Sequence, residues 1–298
     1  VERHFHARIR LLKRQGSTWT DLGNAMPDGF SPGFAEWAGS CVLDADGVGV
    51  TLYFTTAGYR GQAPGFQQRM FASRGTLDAS SGPGNWQDCT ELFRPDGVLF
   101  QPADKAEGAP GTIKAFRDPA WFRDPADGQA YLLFTGSAGW SDDPHNGLVG
   151  FASLTDSGWV LGQPLIEAVG VNNELERPHI VMRDGRYYLF WSTQRHTFSP
   201  EVEAGPNGLY GAVADSFTGE WQPINGNGLV VANPASEPTQ SYSWWVTGEG
   251  EVWSFIDHWG MLGRTFASHP ELLRSQFGGT PAPRFGLAFD GSRVTLAS

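Results

Sequence analysis

The sequence lacks several residue patterns, and each absence excludes a class of protein. Only two of the 298 residues are cysteines, so neither a disulfide framework nor a cysteine-rich metal site is expected. Cys41 lies in an apolar run that is typical of a strand, which predicts a buried free thiol; a pairing with Cys89 stays open. No apolar run reaches the ~18 residues of a membrane helix, and the seven histidines lack the spacing of zinc ligands.

Positive charge is scarce as well. Lys and Arg total 21 against 32 Asp and Glu, which gives a formal net charge of −11. A polyanion such as nucleic acid is therefore not an expected partner. With 40% hydrophobic and 18% charged residues the composition is that of a folded protein, and the length suits one domain over residues 1–298.

Sustained helical periodicity is missing, and a β-hairpin unit recurs instead. Each unit consists of an apolar or alternating run, a tight turn of Gly with Asp or Glu, and a second run that is often aromatic. Asp and Gly suit these turns because both tolerate positive φ. Five units occur, at residues 39–54, 120–134, 179–191, 243–255 and 285–296.

A longer repeat contains these hairpins. Strands that begin with Gly-x-x-Gly occur at residues 147–153 and 208–214, and each precedes a turn with Gly and Trp. A repeat of roughly 40 to 80 residues predicts an all-β fold of the β-propeller type, with a large β-sandwich as the alternative. The first ten residues already run into an alternating pattern, which predicts a strand at the start of the chain and an incomplete first blade.

The first acidic segment is Phe-Arg-Asp-Pro at residues 116–119. Pro119 disfavours helix at Asp118 and predicts an extended backbone there, so Arg117 and Asp118 should point in opposite directions. An Asp at the start of a channel-lining strand can accept hydrogen bonds from two sugar hydroxyls. A surface Asp-Pro turn is the alternative.

The second acidic segment is Glu-Leu-Glu-Arg-Pro-His at residues 174–179. In an extended chain Glu174 and Glu176 lie on one face, ~7 Å apart. Their repulsion raises the proton affinity of one of them, as a general acid requires. The alternative is a solvated edge paired with Arg177, but the apolar residues on both sides favour a buried, functional segment.

These two segments resemble signature segments of glycoside hydrolase family sixty-eight, the bacterial levansucrases, inulosucrases and related β-fructofuranosidases. Glu-Trp-Ala-Gly at residues 36–39 and Gln-Ser-Tyr-Ser at residues 240–243 are similar to two more, and all four follow the family's order. The resemblance implies a five-bladed β-propeller without a cofactor. It also implies a secreted or periplasmic enzyme that cleaves sucrose with retention and passes the fructosyl unit to fructan, sucrose or water.

The resemblance also implies residue roles. Glu176 would be the general acid and base, and Asp118 would stabilise the oxocarbenium-like transition state. The residues implied to bind sucrose or to line its pocket are Arg117, Glu174, Trp37, Tyr242 and Gln194. Gln194 resembles a position that influences the choice between water and a sugar acceptor, so the product stays open.

Two departures from the family pattern matter. The family's nucleophile is an Asp that follows a Trp in the first blade, and the sequence contains no Trp-Asp pair. Either the chain lacks this segment, or a second polypeptide or N-terminal fragment supplies it, or the propeller only binds carbohydrate; an arabinan- or xylan-cleaving propeller is a further alternative. Asn173 stands where calcium-binding relatives have Asp, so no structural metal is expected.

Overall fold

The structure, a computed structural model, describes residues 2–104, 112–266 and 268–297. Helices in these ranges are single turns: α1 (Glu2–Phe5), α2 (Leu272–Ser275) and the 3-10 turns Arg195–Thr197 and Ile224–Gly226. The strand predicted for the first residues is wrong, because α1 precedes the first strand, which begins at Arg10. No helix of the described ranges has both the length and the apolar character needed to cross a membrane.

The strands form four antiparallel blades and one smaller sheet. The small sheet contains β1 (Arg10–Gln15) and β2 (Thr18–Asn24). Blade A contains β3 (Ala35–Leu43), β4 (Gly49–Ala57), β5 (Gln68–Asp78) and β6 (Gly82–Glu91). Blade B contains β7 (Phe116–Arg123), β8 (Ala130–Ser137), β9 (Asn146–Thr155), β10 (Gly158–Leu161) and β11 (Ile166–Val169).

The remaining strands complete the other two blades. Blade C contains β12 (Glu176–Arg183), β13 (Arg186–Thr193), β14 (Gly208–Ala214), β15 (Gln222–Pro223) and β16 (Leu229–Ala232). Blade D contains β17 (Ser241–Val246), β18 (Glu251–His258), β19 (Phe277–Pro281), β20 (Phe285–Asp290) and β21 (Arg293–Leu296). The fold is thus an all-β propeller, as the hairpin pattern predicts.

The predicted hairpins map onto the blades with one exception. The first four are the first two strands of blades A to D, which confirms them as the repeating unit. The fifth, residues 285–296, is the pair β20 and β21, and β20 pairs with β18 inside blade D. This hairpin is therefore the outer part of blade D.

The Gly-x-x-Gly strands are β9 and β14, the third strands of blades B and C. Their glycines leave room for the neighbouring strand. A Cβ on Gly150 would lie 2.5 Å from a ring carbon of Phe134 and 2.7 Å from one of Phe100. Both rings are fully buried, so this position excludes any side chain.

The small sheet of β1 and β2 lies between blades A and D. The Trp86 indole of blade A donates a hydrogen bond to the Ala25 carbonyl, which follows β2 (2.6 Å). On the other side, the ring of Trp19 packs edge-on against Trp253 of blade D, with centroids 5.6 Å apart. A two-stranded sheet thus occupies a place where each blade has four or five strands.

Candidate active site

The first strand of each blade carries a bulge. Where β3, β7, β12 and β17 pair with the second strand of their blade, the register shifts at one point. The shifts lie between Trp37 and Gly39, Arg117 and Ala120, Glu176 and His179, and Tyr242 and Trp245. All four sequence segments singled out above therefore coincide with bulges.

Three bulge residues have positive φ: Asp118 (64°), Arg177 (54°) and Ser243 (68°). The prediction that Pro119 keeps Asp118 extended is therefore wrong. The Asp118 N–H donates to Thr55 Oγ1 (2.8 Å), and Asp118 Oδ2 accepts from Thr135 Oγ1 (3.1 Å) and the Arg177 N–H (3.2 Å). These contacts from three blades stabilise a conformation that the local sequence disfavours.

Arg117 lies at the centre of the acidic cluster. Its Nη2 is 3.1 Å from Glu176 Oε1 and 3.6 Å from Glu174 Oε1, and its Nε is 3.8 Å from Asp118 Oδ2. Burial by itself would lower the pKa of Arg117, but the three carboxylates raise it above its ordinary value. Arg117 is therefore a permanent cation shared by three acids.

Glu174 is the acid whose protonation the site alters most clearly. It is buried, and burial raises the pKa of its carboxyl. Arg117 opposes this rise, whereas the charges of Glu176 and Asp118 add to it. The repulsion expected from the sequence is present, but it is secondary to burial and it raises the pKa of Glu174.

Glu176 is held between a cation and a phenol. Its Oε1 accepts from Arg117 Nη2, and its Oε2 accepts from the Tyr242 hydroxyl. Its side chain is 16% exposed, against 8% for Glu174 and 5% for Asp118. Glu176 is thus the acid of this cluster that a substrate reaches most easily.

Trp37 and Gln194 take no part in the hydrogen bonds and ion pairs of the acidic cluster within the described ranges. The Trp37 indole donates to the carbonyl of His4 (3.1 Å), and its ring packs edge-on against Phe66 with centroids 5.9 Å apart. Gln194 directly follows β13 and is half-buried. Its neighbour Thr193 donates to the Glu174 carbonyl (2.7 Å), but within the described ranges the Gln194 side chain has no hydrogen bond to the acids.

Sequence reasoning missed the hydroxyl groups that connect neighbouring blades. Each belongs to a Thr or Ser that follows an aromatic residue near the end of a second strand, and this recurrence was the available signal. The contacts are Thr55 Oγ1 with the Asp118 N–H (2.8 Å), Thr135 Oγ1 with the Leu175 carbonyl (3.0 Å) and Ser192 Oγ with the Trp244 N–H (3.1 Å). Blades A, B and C thereby each hold the acid-bearing segment or bulge of the next blade.

Asn173, at the position where the resemblance led us to compare calcium-binding relatives, lies in a hydrogen-bond network that includes a lysine. The Asn173 amide oxygen accepts from Lys114 Nζ (3.1 Å), and its amide nitrogen donates to the Ile113 carbonyl (2.9 Å). In residues 2–104, 112–266 and 268–297, no group of three or more His, Cys, Asp or Glu could hold a metal ion.

A cavity of about 380 Å³ lies beside the acidic cluster, between the small sheet and the first strands of the blades. Most of its lining is apolar, but Asp118 of the acidic cluster and Arg177 also line it; the residues come from β1, β3, β4, β6, β7, β12, β17 and β18 and from positions next to β1 and β2. Cys41 lines this cavity and is exposed, so the prediction of a buried thiol is wrong. Cys41 and Cys89 are both free.

The sequence is similar to known proteins over nearly its whole length. The family described as Levansucrase/Invertase matches residues 1–155 and 143–297. A levansucrase from Erwinia amylovora is 35% identical over an aligned length of 322 residues. The alignment covers 98% of this chain and 72% of the relative. Levansucrase LscA from Pseudomonas savastanoi pv. glycinea is 33% identical, with 97% of this chain and 72% of the relative covered.

Solved structures have the same fold. An inulosucrase from Halalkalicoccus jeotgali bound to kestose has a TM-score of 0.85 and 38% identity, over 97% of this chain and 76% of that chain. A levansucrase from Gluconacetobacter diazotrophicus has a TM-score of 0.78 and 27% identity, over 99% of this chain and 72% of that chain.

Proposed function

Because this chain belongs to the levansucrase and invertase family, we propose that it forms the acid-bearing part of a retaining, sucrose-cleaving β-fructosyltransferase. It would transfer fructosyl units from sucrose to fructan, to sucrose or to water. The observation that carries the proposal is the position of Glu176, which is partly exposed and held between Arg117 and Tyr242. A general acid needs this combination of a fixed carboxyl and access to the leaving oxygen.

Glu176 would protonate the glycosidic oxygen of sucrose and then act as the base that activates the acceptor. The hydroxyl of Tyr242 and the guanidinium of Arg117 fix both carboxyl oxygens, so the acid needs no rearrangement during the reaction. After proton transfer Glu176 is an anion, and both neighbours stabilise it as hydrogen-bond donors.

Asp118 would bind fructosyl hydroxyls and stabilise the positive charge that develops on the ring. Its Oδ2 accepts from Thr135 and Arg177, whereas no described residue donates to Oδ1. That oxygen is therefore left for substrate. The chemistry needs an ionised carboxylate here, and the guanidinium of Arg117 lies 3.8 Å from Oδ2.

The remaining pocket residues would recognise sucrose rather than react with it. Arg117 and Glu174 would bind hydroxyls near the bond that is cleaved; a neutral Glu174, favoured by burial, can donate a hydrogen bond as well as accept one. Trp37 would form an apolar wall for a sugar ring. Gln194 would influence whether water or a sugar accepts the fructosyl unit.

The nucleophile would come from outside the described acids. Retention requires a second carboxylate about 5 Å from the acid/base, and Asp118 and Glu174 already have other roles. We propose that this aspartate lies on a further segment, part of a longer chain or of a second polypeptide, whose strands add to the sheet of β1 and β2. The added strands would complete a fifth blade. Residues 1–298 and this segment would then form a single catalytic domain in a secreted or periplasmic enzyme.

Two features support this completion. The sheet of β1 and β2 has two strands where every blade has four or five, and an unpaired strand edge readily accepts another strand. The apolar cavity lies directly beside β1, because Ile9 and Leu11 form part of its lining. An added strand would cover apolar surface that is now open.

The test is glucose release from sucrose. We expect none from the chain alone, and release after addition of an N-terminal polypeptide that carries the aspartate. The same polypeptide with this Asp replaced by Asn is the matched control and should restore nothing. If the chain binds sucrose or fructan but no mixture releases glucose, it is a carbohydrate-binding propeller. The observation that favours this alternative is the absence of a free nucleophile among the described residues.

A further inference from the structure

A buried glutamine of blade A bonds to the chain at the start of blade B. Gln68, the first residue of β5, is 5% exposed. Its Nε2 donates a hydrogen bond to the Lys114 carbonyl (2.8 Å), and its Oε1 accepts one from the Phe116 N–H (3.0 Å). Because a carbonyl can only accept, the amide nitrogen must face Lys114 and the amide oxygen must face β7. The backbone of blade B therefore fixes the orientation of this side chain.

The same amide oxygen also reaches Arg117. Gln68 Oε1 accepts a hydrogen bond from Arg117 Nη1 (3.4 Å). The other nitrogens face the acids: Nη2 lies 3.1 Å from Glu176 Oε1 and 3.6 Å from Glu174 Oε1, and Nε lies 3.8 Å from Asp118 Oδ2. Each nitrogen of the guanidinium thus has a partner of its own. Because the group is planar and rigid, it cannot rotate within the cluster without losing one of them.

The contact with Arg117 distinguishes two roles for Gln68. A residue that only stabilises the fold needs no more than the two backbone hydrogen bonds, since these already satisfy a buried amide. Oε1 additionally holds the Nη1 side of the guanidinium. Without Oε1, the side-chain partners left to Arg117 among the described residues would be its three carboxylates, and Nη2 could shift among them.

We propose that Gln68 is a positioning residue for sucrose binding. Its Oε1 fixes the rotation of Arg117, which keeps Nη2 where it can bind a sucrose hydroxyl beside Glu174 and Glu176. Gln68 has this role only if the proposed function is correct, because it acts through Arg117. Loss of Oε1 should weaken sucrose binding more than proton transfer, because Glu176 keeps its hydrogen bond from Tyr242.

The first test measures glucose release from sucrose by the completed enzyme. Gln68→Met keeps the length of the side chain but removes both hydrogen-bonding groups. We expect KM to rise by roughly tenfold and kcat to change by less than about threefold. Gln68→Glu keeps the acceptor for Arg117 and loses the donor to Lys114, so its KM should stay within about threefold of the unaltered enzyme. An unchanged KM in Gln68→Met, or an equal rise in both variants, would overturn the proposal.

Ser137→Ala is the matched control. Ser137 is fully buried, and its Oγ accepts from the Ala115 N–H (3.0 Å), so it binds the same segment as Gln68. Within the described ranges it has no hydrogen bond to Arg117. Its loss should lower stability but leave KM within about twofold. A rise in KM equal to that of Gln68→Met would mean that any loosening of this segment impairs sucrose binding, and Gln68 would then have no special role.

The second test needs no sucrose and uses the chain alone. Urea unfolding of Gln68→Met, Arg117→Met and the double variant forms a double-mutant cycle. We expect the effects on the unfolding equilibrium constant to depart from independence by about fivefold or more, whereas Ser137→Ala with Arg117→Met should be independent within about twofold. Independent effects of Gln68 and Arg117 together with normal glucose release would contradict only the role of Gln68. Coupling without glucose release from any mixture would contradict the proposed function, and the role of Gln68 with it.

Discussion

At the scale of single residues, the positive charge of Arg117 allows three carboxylates to lie close together in a buried site. Each carboxylate contributes differently: Glu176 is the most exposed, Asp118 is bound by the backbone of a neighbouring bulge, and Glu174 has a raised pKa. These differences arise from burial and hydrogen bonding, since the three side chains carry the same functional group. Under the proposed function, these differences would separate the acid and stabiliser roles within one cluster.

His179 makes the stability of the protein sensitive to acid. Its Nε2 accepts from the Val246 N–H (2.8 Å), so Nδ1 carries the proton and donates to the Arg177 carbonyl (3.0 Å). Burial lowers the pKa of His179 to about 4. Because this folded-state pKa lies below the unfolded value, the contribution to stability is complete above pH ~6.5 and is lost as the pH falls towards 4.

The expected loss is roughly 3 kcal/mol of unfolding free energy across this range. Urea unfolding at pH 7.5, 5.5 and 4 would measure it. In His179→Gln, which does not titrate, the part of the pH dependence that belongs to this residue should vanish. An equal pH dependence in both proteins would show that the pKa of His179 is the same in the folded and unfolded states, which would contradict the effect of burial.

At the scale of elements, the hydroxyls that connect neighbouring blades should contribute measurably to the free energy of unfolding. Thr135→Val keeps the shape but removes a hydroxyl whose one hydrogen is shared between Asp118 Oδ2 and the Leu175 carbonyl. We expect a loss of about 1–3 kcal/mol, because buried acceptors lose their partner. Thr295→Val, at an exposed position of β21, is the control and should change stability by less than about 0.5 kcal/mol in urea unfolding. Equal effects would mean that the hydroxyl of Thr135 has no structural role.

The close packing of third strands gives a second prediction at this scale. Gly150→Ala would place a Cβ 2.5 Å from a ring carbon of Phe134, so overpacking should cost about 1–3 kcal/mol. Gly84→Ala in β6 meets no atom within 4 Å and should be nearly neutral. Calorimetric midpoints of the two variants would test this; similar midpoints would contradict the packing argument.

Much of this organisation could be predicted from the sequence, and the failures have physical causes. Asp-Gly turns and alternating runs located the first two strands of all four blades, because hairpins are local. The conformation of Asp118 depends on Thr55, Thr135 and Arg177, which come from three other segments, so no local rule predicts it. The fifth hairpin, predicted as one more unit of the repeat, is the outer part of blade D, because turn chemistry does not tell inner from outer strands.

At the scale of the whole molecule, the blades do not form a uniform ring. The small sheet of β1 and β2 lies between blades D and A, and the apolar cavity lies between this sheet and the first strands of the blades. The acidic cluster draws on blades A to D, so its geometry depends on all the blades being held in place. Under the proposed function, a segment that completes the small sheet would add a fifth blade and would carry the nucleophile.

The most direct measurement is the rate of glucose release from sucrose by the completed enzyme, with and without Glu176→Gln. Loss of the acid and base should lower the rate by about 10²–10⁴-fold. Glu167→Gln, at an exposed position of β11, is the matched control and should leave the rate unchanged. Full activity of Glu176→Gln would contradict the central claim that this carboxyl transfers the proton.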